Sequence, residues 1–365
     1  MPKLNRRTTK PDTLLFADLH LHDRKEFSQV TNSGLNSRLE EGLNILDQII
    51  EWLEPNGIRY LIFLGDVFEL KDRVPNHILS EFKHRLEQIL DKYIHVYFLV
   101  GNHDYNLLDY TTLDVFQDKI HLIDEPKLAM MDELLKYGVY FIPYQRKWED
   151  FIQAWNNIPY DYWGSQLKAI FFHQTLPGGI YDNGTQTAPG TWQPSYHSNL
   201  LYVAGDLHIP QKVGKIQYLG SPYPTKFGTP DQNYYVWTLD RFTNAISPIQ
   251  LNYAKFLDIP FDYVKDEKSI TPLEGNFAYN NYLRITGEVD IEIWKTFDRQ
   301  KCRKALEDLG AKAVTYNVTL LHPKQVRMEI ANESDESIIE KYATEQAPKG
   351  MELQDVIDTG KDLWK

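Results

Sequence analysis

The chain has 365 residues, 42% apolar and 25% charged, which gives a globular protein a sizeable core and suggests about two domains. No apolar run exceeds five residues, against the roughly twenty that a membrane helix needs, and no early run matches the core of a signal peptide. The single cysteine, Cys302, excludes an internal disulfide and fits a reducing compartment, while the formal net charge of -12 argues against indiscriminate coating of DNA.

Residues 14–18 read as a strand. A helix follows at 38–54, where Leu39, Leu43, Leu46, Ile50 and Leu53 form one apolar stripe. Ser37 and Glu40 make a capping-box start, and Pro55-Asn56-Gly57 a stop. A buried strand at 60–64, a helix at 77–93 and a strand at 95–100 continue the alternation. Further strands are expected at 140–144, 167–172, 200–204, 217–219 and 234–238. Helices between short apolar strands mark crossover units in a covered sheet. The fold class expected is α/β, a two-layered mixed β-sheet sandwich flanked by helices. A smaller α+β module follows, with strands at 282–286 and 313–320 around a helix at 298–309 that Gly310 ends. The tail, 334–364, reads as one or two short helices broken at Pro348-Lys349-Gly350. Residues 331–365 hold nine acids and four lysines. The domain limits expected are 1–255, 256–325 and 326–365.

Polar residues fall where the apolar strands end. Asp18-Leu19-His20, Gly65-Asp66, Gly101-Asn102-His103-Asp104, His173 and Gly205-Asp206-Leu207-His208 each follow such a strand. In α/β sheets, ligand sites gather beyond the carboxyl ends of strands, so all five groups are expected at one rim. Singly, each is ordinary: Gly, Asn and Asp suit turns, and a lone histidine is more often a satisfied core residue. In conjunction they offer nitrogen and oxygen donors without a thiolate, which suits Mn²⁺, Mg²⁺, Fe or Zn²⁺. The donors are too many for one tetrahedral ion and suit two ions that share a carboxylate, a clamp for in-line phosphoryl displacement.

This series, D-x-H, G-D-x-x-E, G-N-H-D, a lone H and G-x-x-H, resembles that of the calcineurin-like metallophosphoesterases. Within them it looks most like the SbcD-type DNA repair and recombination nucleases. Gly65-Asp66-Val67-Phe68, Phe141-Ile142-Pro143-Tyr144, Leu207-His208-Ile209-Pro210-Gln211 and Tyr218-Leu219-Gly220-Ser221-Pro222 carry that finer likeness. It spans about residues 13–255. The resemblance implies the metallophosphoesterase fold, with 256–325 as a DNA-capping domain and the tail docking a partner. It also implies two divalent ions, Mn²⁺ first and Mg²⁺ second. Asp18, His20, Asp66 and His208 would hold one ion, and Asp66, Asn102, His173 and Asp206 the other. His103 would protonate the leaving oxygen, with Asp104 orienting its ring. The implied activity is 3′-to-5′ exonuclease action on duplex DNA and endonuclease action on single strands. The implied partners are DNA, a coiled-coil ATPase of the SbcC type and a second copy of the chain, in the cytoplasm or a phage host's cytoplasm.

One position departs from the family. Gly205-Asp206-Leu207-His208 stands where G-H-x-H is usual, so Asp206 replaces a neutral imidazole. With two divalent ions and three carboxylates, the pocket is one unit less positive than the usual one, which favours hard ions over Zn²⁺. Asp206 also admits a weakened second site. The rival readings are a phosphoesterase for another phosphodiester or phosphomonoester, and a DNA-binding scaffold with weakened catalysis. His22 reads as a solvated loop histidine. Tyr105, Tyr110 and Tyr223 read as packing residues that lie near the motifs. Lys3, Arg6, Arg7 and Lys10 read as a basic arm.

Overall fold

A computed structural model describes residues 10–71, 73–105, 110–132, 136–160, 164–188, 190–228, 233–265 and 277–321, with 337, 339–340, 343–344 and 353–363 in the tail. The basic arm up to residue 9 and the expected break at 348–350 lie outside the described residues. The chain divides into two compact units, 1–287 with 298–318, and 288–297 with 319–365. Among the described residues no helix is long and apolar enough to cross a membrane.

The first unit is built on two six-stranded sheets. Its elements in chain order are β1 (Thr13–Phe16), α1 (Ser37–Leu53), β2 (Tyr60–Phe63), α2 (Asn76–Leu90), β3 (His95–Leu99), β4 (His121–Ile123), β5 (Lys127–Asp132) and β6 (Tyr137–Ile142). Then come α3 (Trp148–Asn156), β7 (Leu167–His173), β8 (Leu201–Gly205), β9 (Gln211–Val213), β10 (Ile216–Tyr218), β11 (Val236–Asp240) and β12 (Ala245–Ile249). The first sheet runs β12-β11-β1-β2-β3-β4 and the second β5-β6-β7-β8-β10-β9. β1 to β4 are parallel and β11 joins antiparallel; β6, β7, β8 and β10 are parallel, with β5 and β9 antiparallel at the edges. This is the mixed α/β sandwich expected from the sequence.

The alternation of side chains explains the layers. Leu14 and Phe16 of β1 pack with Leu61, Phe63, Val96 and Phe98 against the α1 and α2 stripes. Leu15 and Ala17 face the other way, and with Ile62, Leu64 and Leu99 meet Val139, Phe141, Ala169, Phe171 and Val203 of the second sheet. On that sheet's outer face, Tyr140, Ile142, Ile170 and Phe172 pack on Phe151 and Trp155 of α3. Strands buried on both faces must be apolar throughout, which is why they read as continuous runs. Each such side chain, fully buried, contributes roughly 1.5–3 kcal/mol. Arg241, at the end of β11, ties the layers together. Its Nε donates to Asp12 Oδ1 at 2.9 Å, its Nη1 lies 3.2 Å from Asp132 Oδ2, and its guanidinium stacks 4.1 Å over Tyr60.

Local chemistry sets the helix ends. Asn36, not Ser37, caps α1: its Oδ1 accepts from the N–H groups of Arg38 (2.8 Å) and Leu39 (3.4 Å). Ser37 is already helical, and its Oγ accepts from the Gln29 N–H instead. The amide reaches both free donors, whereas the shorter hydroxyl one residue later is committed elsewhere.

Beyond residue 255 a three-stranded sheet pairs β13 (Phe256–Pro260), β14 (Tyr282–Asp290) and β15 (Ala313–Leu321), with β14 central. Between β14 and β15 come α4 (Ile291–Thr296) and α5 (Arg299–Asp308), the latter capped by Asp298. In the tail, α6 (Leu353–Leu363) carries Lys361, whose Nζ pairs with Glu340 at 2.9 Å.

Candidate metal centre

The carboxyl ends of β1, β2, β3, β7 and β8 meet at one rim, and the sequence-predicted residues meet there too. The loops after β1 and β2 run side by side. The Asp18 N–H donates to the Gly65 carbonyl at 2.9 Å and the His20 N–H to the Asp66 carbonyl at 3.0 Å. Asp18, His20, Asp66 and Asp206 all have left-handed backbones, with φ of 53°, 47°, 63° and 86°. That region is uncommon for residues other than glycine, and its clustering at a side-chain constellation marks a functional site. Gly65 and Gly101 make room for it. A Cβ at Gly65 would lie 2.2 Å from His173 Nδ1, and one at Gly101 2.2 Å from Asp66 Oδ1.

Three histidines share one orientation. His173 Nδ1 donates to the Leu64 carbonyl at 2.6 Å. His20 Nδ1 lies 2.9 Å from Glu69 Oε2, and His208 Nδ1 lies 3.3 Å from Asp182 Oδ2. Carbonyls and carboxylates only accept, so Nδ1 of His173 and of His208 carries a hydrogen, the Glu69 carboxylate beside His20 Nδ1 favours one there too, and the Nε2 atoms point into the cluster. There His20 Nε2 and His208 Nε2 stand 3.0 Å apart. Two lone pairs at that distance repel unless a proton or a metal ion lies with them. Asp66 Oδ2 is 3.5 Å from both His20 Nε2 and His173 Nε2, the position of a shared carboxylate. The inner amide atom of Asn102 sits 3.1 Å from His173 Nε2 and 2.9 Å from Asp66 Oδ2. Without a cation that place suits the NH₂ group; with one it suits the carbonyl oxygen. Ligand atoms of Asp18, His20 and His208 lie within 4.8 Å of one another, as do those of Asp18, Asp66 and His173. A donor set of inward imidazole nitrogens and carboxylate oxygens therefore fits two divalent cations.

Electrostatics agree. Burial pulls the His20 ring down, but its bond to Glu69 and the charges of Asp66 and Asp18 carry it up to about 9. Burial likewise opposes a charged His173, yet Asp66, Asp206 and Asp18 hold it well above the usual imidazole range. Burial would raise Asp66, and His173 and His20 override it and keep the carboxyl low. The centre of the cluster draws cations.

Asp206 is more open than His173, its side chain 17% exposed against 0%. Its Oδ1 lies 3.8 Å from His173 Nε2, and its N–H donates to both Asp18 oxygens at 3.1 and 3.2 Å. His103 stands beside the cluster, its ring edge-on to His20 at 4.9 Å. Its Nδ1 donates to the Glu69 carbonyl at 2.8 Å, which leaves Nε2 as the atom for proton exchange, and its N–H donates to Asp66 Oδ1 at 2.7 Å.

Asp104 differs from expectation. It does not touch the His103 ring. Its Oδ2 accepts from the N–H groups of Asp66 (2.7 Å) and Gly101 (2.8 Å), and its Oδ1 from that of Val67 (3.0 Å). The turn aims adjacent side chains apart, so Asp104 clamps two loops while a backbone carbonyl orients His103. Burial, then the Asp66 charge, push Asp104 up to about 6. Other differences are smaller. His22 is buried, and burial and the Arg38 charge hold it neutral, down to about 3. Tyr223 packs as the sequence suggests, buried, with its hydroxyl donating to the Leu19 carbonyl at 2.7 Å. Sequence reasoning assigned no role to Glu69 or Asp182. Glu69 stands in the G-D-x-x-E motif. Asp182, which also pairs with Lys226 at 2.9 Å, lies in a loop without a local signal.

A family model of calcineurin-like phosphoesterases matches residues 12–210. The chain belongs to that family, whose members are hydrolases built around a dinuclear divalent-metal site, and the described residues hold candidate ligand groups for one. It is 22% identical over 244 residues to exonuclease subunit 1 of Enterobacteria phage T4, covering 62% of this chain and 67% of that protein. Among solved structures it is similar to the Pseudomonas putida nuclease MPE (16% identity, 66% of this chain, 88% of that one, TM-score 0.31). A dimetal phosphatase from Danio rerio is also similar (12% identity, 62% of this chain, 92% of that one, TM-score 0.35).

Proposed function

We propose that this chain is a metal-dependent DNA nuclease. The observation that carries the metal chemistry is the set of three histidines whose Nδ1 atoms face acceptors and whose Nε2 atoms turn inward, those of His20 and His173 toward Asp66 and that of His208 toward His20. The relative named as a phage exonuclease subunit supports DNA as the substrate. Asp18, His20, Asp66 and His208 would hold one ion, and Asp66, Asn102, His173 and Asp206 the second. The extra carboxylate of Asp206 favours Mn²⁺, with Mg²⁺ as the alternative. Bound metal supplies positive charge at the phosphate and makes water a nucleophile at neutral pH. His103, held at Nδ1 by the Glu69 carbonyl, delivers a proton from Nε2 to the leaving oxygen. Asp104 holds the loops that carry Asp66 and Asn102 at fixed spacing. Glu69 and Asp182 keep His20 and His208 in the ligand tautomer.

In this reading 1–255 is the nuclease domain, 256–325 caps the DNA, and 326–365 docks a coiled-coil ATPase of the SbcC type inside the cell. A partner is supported by the word subunit in the relative's name, and the acidic tail offers α6 for the contact. Cleavage of end-labelled single- and double-stranded DNA with Mn²⁺, beside hydrolysis of bis(p-nitrophenyl) phosphate, tests the proposal. The nuclease reading expects DNA cleavage that Asp66→Ala abolishes. Hydrolysis of the small diester with intact DNA would instead assign another phosphoester substrate.

A further inference from the structure

A cavity of about 500 Å³ adjoins the metal centre, and its lining joins Asn102 and Asp206 to Tyr144, Trp148, Gln174 and Thr175. Pockets of roughly 300–1,000 Å³ are the size that holds small organic ligands. No cationic side chain lines it among the described residues, so it is not built for a phosphate group. It offers aromatic rings, an amide and a hydroxyl, the chemistry that binds a flat, uncharged heterocycle with polar edges. The Trp148 ring is set in place. Trp148 stacks on Phe151 (centroids 5.4 Å apart, planes at 17°) and meets Trp192 edge-on at 5.4 Å. The Tyr144 N–H donates to the Val100 carbonyl at 2.9 Å, which fixes its backbone next to the loop of Asn102. Gln174 Oε1 accepts from the Gln145 N–H at 3.2 Å, so its NH₂ group is left to meet a ligand edge.

We propose that this cavity is a nucleobase subsite, which receives the base of the nucleotide whose phosphate lies at the metal centre. The inference rests on the nuclease reading and narrows it. A base inside the cavity is unpaired, so the preferred substrate presents a single-stranded or frayed nucleotide at the scissile phosphate. Extracting a base from a duplex costs a few kcal/mol, least where it is already unpaired.

The test is a coupling measurement on the full chain. Fluorescence anisotropy without added metal reads the affinity for a single-stranded oligonucleotide and for the same strand with successive abasic positions. Cleavage with Mn²⁺ reads the same pair. At one position, loss of the base is expected to weaken binding by about 5- to 100-fold, the range that base–aromatic stacking supplies. Tyr144→Ala should erase most of that difference, and Tyr144→Phe should keep it. Gln174→Ala, a smaller change at the same cavity, should reduce it even if Tyr144→Ala unfolds the chain. Equal base-to-abasic ratios in the unmodified protein and the folded variants would overturn the subsite. DNA cleavage without any base preference would overturn it and leave the nuclease reading standing. A base preference in binding with no DNA cleavage under any divalent metal would support the subsite and sink the nuclease reading.

Discussion

Replacing Asp104 tests whether two loops are held by one carboxylate. The residue is 2% exposed, and its carboxylate accepts from three backbone N–H groups, on Asp66, Val67 and Gly101. Asp104→Ala leaves all three donors without a partner in a site closed to water. At about 1–3 kcal/mol for each buried orphan donor, the loss is about 3–9 kcal/mol. That is much of the 5–15 kcal/mol that typically separates folded from unfolded. Asp104→Asn keeps the shape and the pair on one oxygen but turns an NH₂ toward the Val67 N–H. It should cost about 2–4 kcal/mol, one charge-assisted bond plus a donor facing a donor. Because Asp66 and Asn102 ride on the clamped loops, metal affinity should fall in parallel. Urea unfolding gives the first quantity and calorimetric titration with Mn²⁺ the second. An Asn variant with unchanged unfolding midpoint and metal affinity but slow turnover would refute the clamp and restore Asp104 as the group that orients His103.

The remaining predictions follow from the same geometry. His103→Gln should lower turnover about 10²–10⁴-fold, as removal of a general acid does, while metal content measured by elemental analysis stays at two ions. Asp206→Ala should weaken one of two calorimetrically resolved metal sites, and Asp206→His should retain activity while tolerating Zn²⁺ better; a silent Asp206→Ala would remove Asp206 from the ligand set. Arg241→Met should destabilise the fold by about 3–5 kcal/mol in urea, since it removes the buried cation shared by Asp12 and Asp132 and leaves them only the exposed Arg59. Burial would raise Asp12, but the bonds to Arg241 and Arg59 hold it below the usual carboxylate range. Its contribution is therefore full above about pH 4 and is lost as pH falls through its folded value, so Asp12→Asn should flatten the acid limb of the stability curve.

The layers of the sandwich were legible because strands covered on both faces have to be apolar throughout, and because α1 repeats leucine and isoleucine on one stripe. The rim was legible because polar donors follow five such strands at once. What escaped has long-range causes. β13 is defined by pairing with β14, 26 residues further on, and no periodicity within Phe256–Pro260 announces that. The α1 cap moved from Ser37 to Asn36 because Gln29, eight residues upstream, occupies the serine hydroxyl. Asp182 reaches His208 across 26 residues, out of an irregular loop. Asp104 was read as a partner of its neighbour in sequence, yet its three donors come from two different loops. His22 reads as solvated because it lies in the loop after the first motif, and tertiary packing covers it.

Crystals of the chain soaked in Mn²⁺, with anomalous scattering recorded at the manganese edge, test the central claim most directly. Two peaks about 3.5–4 Å apart are predicted. Asp66 Oδ2 should lie between them, His20 and His208 against one peak, and Asn102 and His173 against the other. A single peak, or two peaks with an imidazole turned so that Nδ1 faces the metal, would contradict it.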